Sequence, residues 1–263
     1  MAFDIFYLHV FLSFVFGGLA VAVALSMAER FGERIGAVLL SFPTSSVVSL
    51  FFIGIVGSGA LVIEVIPFSF VSLAIYLLFI FVFILLAERF GRKSILAGFA
   101  VWLSIALPIA FFWKGDFWIS LVVFFAVYLF MTFWRFEKKL VPLVKTSFDF
   151  RVFLYRVFFA GLLVAFAVFS SKVFGPEWGG LFSMFPASTT SAYWLLLKSH
   201  PPASVVSVAR KMLPYSVTFA FYAFAVYFLY PLLGLYIGTL VCIALTGMFA
   251  LVLFTLLKNQ PNG

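Results

Sequence analysis

Residues 31–46 read FGERIGAVLLSFPTSS, and residues 174–189 read FGPEWGGLFSMFPAST. At a constant offset of 143 positions, Phe31/Phe174, Gly32/Gly175, Gly36/Gly179, Phe42/Phe185, Pro43/Pro186 and Ser45/Ser188 are identical, and Ser46/Thr189 is a conservative match. Each copy follows one long apolar run and opens the next. The chain therefore reads first as an internal repeat.

The composition around the repeat decides its solvent. Of 263 residues, 65% are hydrophobic and 10% charged, against a globular norm of roughly 45–50% apolar and about 25% charged. Forty Phe residues and a mean hydropathy of +1.23 exceed what a water-soluble domain of this length can bury. A membrane helix needs about 20 apolar residues to cross the hydrocarbon. Nine stretches qualify, near 5–28, 36–57, 63–87, 94–113, 117–135, 152–173, 180–197, 207–229 and 232–257. The N-terminal run is too long for a signal-peptide core and reads as a retained span.

The net charge of +8 has a bland explanation, because the cations sit in short tracts between apolar runs. If the C-terminus is cytoplasmic, 15 of the 17 Lys and Arg fall in inner loops or at inner helix ends, leaving only Lys114 and Lys172 outside. That is the positive-inside pattern, and it predicts an N-terminus outside, a C-terminus inside and no nucleic-acid partner. Trp113, Trp118, Trp178 and Tyr230 fall where outer-interface anchors are expected, and Trp134 where an inner one is. A second recurrence, AERFG at 28–32 and at 87–91, reads as a helix end stopped by Gly. The single cysteine, Cys242, excludes an intramolecular disulfide framework and reads as a packing residue.

Five spans separate the two motif copies, so the second enters the membrane from the opposite face to the first. The predicted fold is an all-α polytopic membrane protein in a 4+1+4 arrangement of inverted repeats, a plan common among secondary transporters. Residues 1–113 form the first repeat, 114–150 the linker helix and a cytoplasmic loop, and 151–263 the second, inverted repeat.

The string Gly36-Ala37…Phe42-Pro43-Thr44-Ser45, repeated as Gly179-Gly180…Phe185-Pro186-Ala187-Ser188, resembles the GlpM-type small membrane proteins. These are four-span chains with a Gly-then-Phe-Pro-Thr segment at the second span. The resemblance covers some 16 residues per half, and Ala187 departs from it where the pattern has Thr. It implies two such units fused through an extra helix and says little about substrate.

Pro43 and Pro186 each lie seven residues after a Gly, roughly 10 Å into the bilayer at 1.5 Å per residue. Each removes an N–H and is expected to free a carbonyl one turn back, that of Leu39 or Phe182. Ser41, Thr44, Ser45, Ser46 and Ser49 surround the first proline; Ser188, Thr189, Thr190 and Ser191 follow the second. Polar groups and loosened backbone at that depth must face protein or water. One reading is a shared binding site for a small polar or ionic solute, made of hydroxyls, half-helix N-termini and carbonyls. The other is close helix packing, which uses the same residue types.

Ionisable residues near the spans are Glu64, His9, Asp4 and Asp149. Glu64 joins the candidate site, since a carboxylate in a span is costly. His9 reads as a packing histidine, and Glu33, Arg34 and Glu177 as interfacial charges beside the motifs.

Enzyme chemistry has no support: there is no HExxH, no nucleophile elbow and no phosphate-binding Gly loop with Lys. Two histidines cannot furnish a metal hydrolase. An intramembrane enzyme acting on lipid would need Glu64 and His9 to converge. The expected function is a secondary transporter or facilitator in the cell membrane, without catalytic residues, cofactor or metal. The alternative is a non-transporting assembly or regulatory subunit. The bilayer is the partner in either reading, and a homodimer stays open.

Overall fold

The computed structural model describes residues 2–31, 39, 42–134 and 149–258, with the backbone alone at 2–4, 28–31, 187–188, 199 and 258. These residues are helical apart from turns, and no strand occurs among them. In chain order the helices are α1 (Ala2–Phe31), α2 (Thr44–Gly57), α3 (Gly59–Phe90), α4 (Lys93–Phe112), α5 (Phe117–Phe133), α6 (Phe150–Val173), α7 (Pro176–Ser183), α8 (Ala187–Ser199), α9 (Pro202–Tyr215) and α10 (Val217–Lys258). Away from its ends, a helix satisfies each backbone N–H and C=O within its own segment, which an apolar solvent demands.

Five segments are long and apolar enough to cross a membrane: Ile5–Met27, Gly59–Phe90, Lys93–Phe112, Phe150–Val173 and Pro202–Leu257. The last spans 56 residues and is not one rod. Gly234 interrupts it at φ 73° and ψ 174°, a conformation that strongly favours glycine. Phe221 and Phe249 then stack with ring centroids 4.4 Å apart, so the two halves of α10 run antiparallel. Tyr230 lies inside this turn, buried, with its hydroxyl 2.7 Å from Thr239 Oγ1. It is therefore no interface anchor, contrary to expectation: its polar end is satisfied within the protein rather than by headgroups.

The eighth expected span, 207–229, also differs. Helix begins earlier, at Pro202, and bends at Ser216 between α9 and α10. At the second AERFG, α3 ends on Phe90 and the Gly91 N–H bonds to the Ala87 carbonyl at 2.8 Å, as a Gly stop requires.

The long α3 is the hub. It packs against α2, α4, α5, α7, α9 and α10, and its Phe70, Leu73, Leu77, Phe79, Ile80 and Phe83 are wholly buried. Outside that hub, α1 packs along α6. Gly18 faces the backbone of Val157 there, and Gly161 faces the backbone of Phe14: a Cβ would come within 3.0 Å and 3.2 Å of those carbonyl carbons. Only glycine admits helix axes this close. Large apolar side chains cover the outside of α1, α4, α5, α6 and α10, Phe112 being 84% exposed. An apolar surface of this extent suits a protein bathed in lipid.

Candidate functional site

The two motif prolines adopt the same local backbone. Pro43 precedes α2 with φ −76° and ψ 48°, and Pro186 precedes α8 with φ −73° and ψ 43°. The Val47 N–H bonds to the Pro43 carbonyl at 2.8 Å, and the Thr190 N–H to the Pro186 carbonyl at 2.8 Å. One turn earlier, the Phe42 N–H meets the Leu39 carbonyl at 3.3 Å and the Phe185 N–H meets the Phe182 carbonyl at 3.2 Å. The carbonyls of Leu39 and Phe182 are thus not left open. Each chain tightens into a turn that supplies a donor in place of the missing proline N–H.

The exposed backbone ends lie elsewhere. α7 is only eight residues long and stops at Ser183, so its last carbonyls lack intrahelical donors. Hydroxyls from two other helices satisfy them. Ser72 Oγ of α3 donates to the Leu181 carbonyl at 2.6 Å, and Ser46 Oγ of the first motif copy donates to the Ser183 carbonyl at 3.0 Å. Ser46 Oγ also lies 3.0 Å from Met184 Sδ.

Ser69 Oγ is 3.0 Å from Ser183 Oγ. It is also placed to donate to the Val65 carbonyl at 3.2 Å, and Ser183 to the Gly180 carbonyl at 2.9 Å. Two hydroxyl protons serve these three contacts, so the pair can exchange donor and acceptor roles by rotation. One turn further along α3, Tyr76 OH lies 2.8 Å from Thr189 Oγ1. Ser46, Ser69, Ser72, Tyr76, Ser183 and Thr189 are all buried.

Ser69, Ser72 and Tyr76 are spaced i, i+3, i+7 and so share one face of α3. Glycine brings α7 up to that face: a Cβ at Gly180 would sit 2.5 Å from the Val65 carbonyl oxygen and 3.1 Å from the Ser69 nitrogen. The three α3 residues and Ser183 escaped the sequence reading. For the three α3 residues the signal is the hydroxyl spacing in SFVSLAIY, residues 69–76, inside the most apolar of the long helices.

The remaining candidates scatter. Pro43 and Pro186 are buried at the breaks, and Thr44 Oγ1 reaches its own Phe42 carbonyl at 3.4 Å. Ser45 and Thr44 line a cleft of about 10 Å³ against α1, room for about one water. Thr190 and Ser191 turn the other way, into a cavity of about 500 Å³ between α4, α6 and α8. Thr190 Oγ1 is sealed from solvent there with no hydrogen-bond partner among the described residues. Ser41 and the side chain of Ser188 lie outside the described residues, as do Glu33, Arg34 and the side chain of Asp4.

Glu64 is exposed near the start of α3 and makes none of the cluster's hydrogen bonds described above, and His9 is half-buried on α1. Asp149 caps α6, accepting from the Arg151 N–H at 2.8 Å. Among the described residues no three of His, Cys, Asp or Glu gather as a metal site would require, and Cys242 is a free, buried thiol.

The cluster is thus a neutral hydrogen-bonding core between two helix breaks, beside a larger cavity whose wall the second motif shares. No known protein family, curated protein or solved structure matches the chain.

Proposed function

We propose that this protein is a secondary transporter or facilitator of a small solute in the cell membrane. In this reading two inverted four-span halves, 1–113 and 151–263, work about the linker 114–150, with the N-terminus outside. The observation that carries it is the junction of the two breaks: Ser46, from the first motif, caps the half-helix of the second at Ser183. Discontinuous helices meeting inside a bundle are where transporters of this plan bind their solutes.

The α1–α6 crossing supports the repeat independently. Gly18 and Gly161 are 143 residues apart, as are the Phe14 and Val157 they touch. Reciprocal contacts of this kind are what a two-fold axis between equivalent elements produces. The pairing of Tyr76 with Phe219, again 143 apart with ring centroids at 5.9 Å, follows the same rule. It also fits a fusion of two GlpM-type units.

A second reading, a non-transporting assembly or regulatory subunit, is favoured by the hydrogen bonds that the cluster hydroxyls already make within the protein. Cysteine accessibility separates the two. Single cysteines at Ser45 and Thr190, in a Cys242→Ala background, are labelled in oriented membranes with impermeant thiol reagents from each side. Labelling at both, with access that changes on adding solute, is the transporter outcome. Protection at both, while controls at Lys114 and Pro201 react, removes the transporter reading.

A further inference from the structure

Two contacts at opposite ends of the long α3 share one construction. The first joins α2 to α10. Phe51 meets Tyr236 edge to face, with ring centroids 6.0 Å apart. Three residues on, a Cβ at Gly54 would fall 2.5 Å from Leu235 Cδ1 and 3.2 Å from Val62 Cγ2 of α3. The second contact joins α8 to the start of α4. Arg92, the residue before α4, holds its Cζ 5.4 Å over the ring of Trp194.

Phe51 and Trp194 each stand eight residues after a motif proline, Pro43 or Pro186. Their partners each follow a glycine of positive φ at the end of a helix arm. Arg92 follows Gly91 at φ 53°, and Leu235 and Tyr236 follow Gly234 at φ 73°. Phe51/Trp194 and Gly91/Gly234 both keep the offset of 143, so the two contacts are counterparts. Each ties residues of 1–113 to residues of 151–263.

The contacts lie far apart. Val62 marks the first near the start of α3, and Arg92 marks the second just past its end, 30 residues on, roughly 40–45 Å along the helix. Tyr76 stands about midway, 14 residues past Val62 and 16 before Arg92, where it meets Thr189 and Phe219. Two bodies joined at mid-length and touching at both ends can rock: motion that parts one end presses the other together.

We infer, resting on the carrier reading, that the two contacts are latches of such a rocking motion about the Tyr76 junction. The α2–α10 latch opens the end of the bundle where α3 begins, the α4–α8 latch opens the end where α3 finishes, and the two never open together. With the N-terminus outside, Phe51, Leu235 and Tyr236 form the outer latch, and Arg92 and Trp194 the inner one.

Labelling after folding tests this. Full-length protein in a Cys242→Ala background carries Gly54→Cys, whose side chain points at Leu235, and Leu197→Cys, the equivalent position 143 residues on. The protein in proteoliposomes is exposed to a pyrene-bearing maleimide, and intact mass counts molecules with no, one or two labels. A bulky group, once attached, props its end open. Both single-cysteine proteins should label, and the doubly labelled fraction of the two-cysteine protein should fall about tenfold below the product of the single fractions. A Cβ at Gly54 meets the end of a flexible side chain rather than backbone; should Gly54→Cys not fold, Leu235→Cys reports the same contact from its other side.

Double labelling equal to that product, as independent opening at distant sites gives, would overturn the inference. So would no labelling at one or both positions while the exposed Lys114→Cys reacts. Access at Ser45 and Thr190 is read separately. If those two label and the latches open independently, the latch assignment alone falls; if they stay protected while the latches exclude each other, the gating role falls with the carrier.

Discussion

Gly18→Ala and Gly161→Ala test the crossing on which the proposed two-fold rests. At Gly18 the new methyl would fall about 1 Å inside the ~3.3 Å that carbon and carbonyl oxygen tolerate, against the backbone of Val157. Gly161 meets the Phe14 carbonyl in nearly the same way. Backbone cannot rotate aside as a side chain can, so α1 and α6 must separate by about 1 Å. A gap of that size forfeits a quarter to a half of the dispersion energy of each contact it opens, and overpacking of this kind costs about 1–3 kcal/mol. Because one separation relieves both clashes, the double variant should cost little more than either single one, not their sum.

The chain's single cysteine is buried and free, so a fluorogenic thiol reagent reports the melting of purified protein. Each single variant should melt roughly 5–10 °C lower. Gly247→Ala, where nothing lies within 4 Å of the added methyl, should melt at or above the parent. Glycine variants at 18 and 161 that melt with the Gly247 control, or a double variant equal to the sum of the singles, would refute the close reciprocal crossing.

The break at α7 makes further predictions. Ser72→Ala leaves the Leu181 carbonyl without its 2.6 Å donor and should cost about 1–3 kcal/mol, read as a lowered melting temperature. Tyr76→Phe should cost about 1 kcal/mol by orphaning Thr189 Oγ1, and adding Thr189→Val should recover most of it, since replacing both partners is nearly neutral; a double-mutant cycle of melting temperatures checks this. Gly234→Ala should cost about 1–3 kcal/mol through backbone conformation alone, because the added methyl meets nothing within 4 Å; unchanged melting would show that the α10 turn is not held there.

Long apolar helices were legible in the sequence because a lipid-solvated helix needs an uninterrupted run of apolar residues, and composition along the chain records that directly. The helix breaks at Pro43 and Pro186 were legible for a similarly local reason: proline lacks a donor wherever it stands. So was the Gly91 stop, which depends on one residue's backbone freedom. Tyr230 was misread because an aromatic next to Pro231 at the end of an apolar run looks the same whether headgroups or Thr239 receive its hydroxyl.

What the tertiary structure alone decided is which hydroxyls meet which carbonyls. Nine serines and threonines follow or flank the two prolines, yet the cluster takes only Ser46 and Thr189 from them and draws Ser69, Ser72, Tyr76 and Ser183 from elsewhere. Arg156 reads in the sequence as one more inner-end cation, whereas the tertiary structure buries it. Local sequence sets the conformation of each segment, because propensity and backbone satisfaction act over a few residues. Partnership between segments depends on rotation about each helix axis and on how closely two axes approach. Those are fixed by packing around Gly18, Gly161 and Gly180, which no short window of sequence contains.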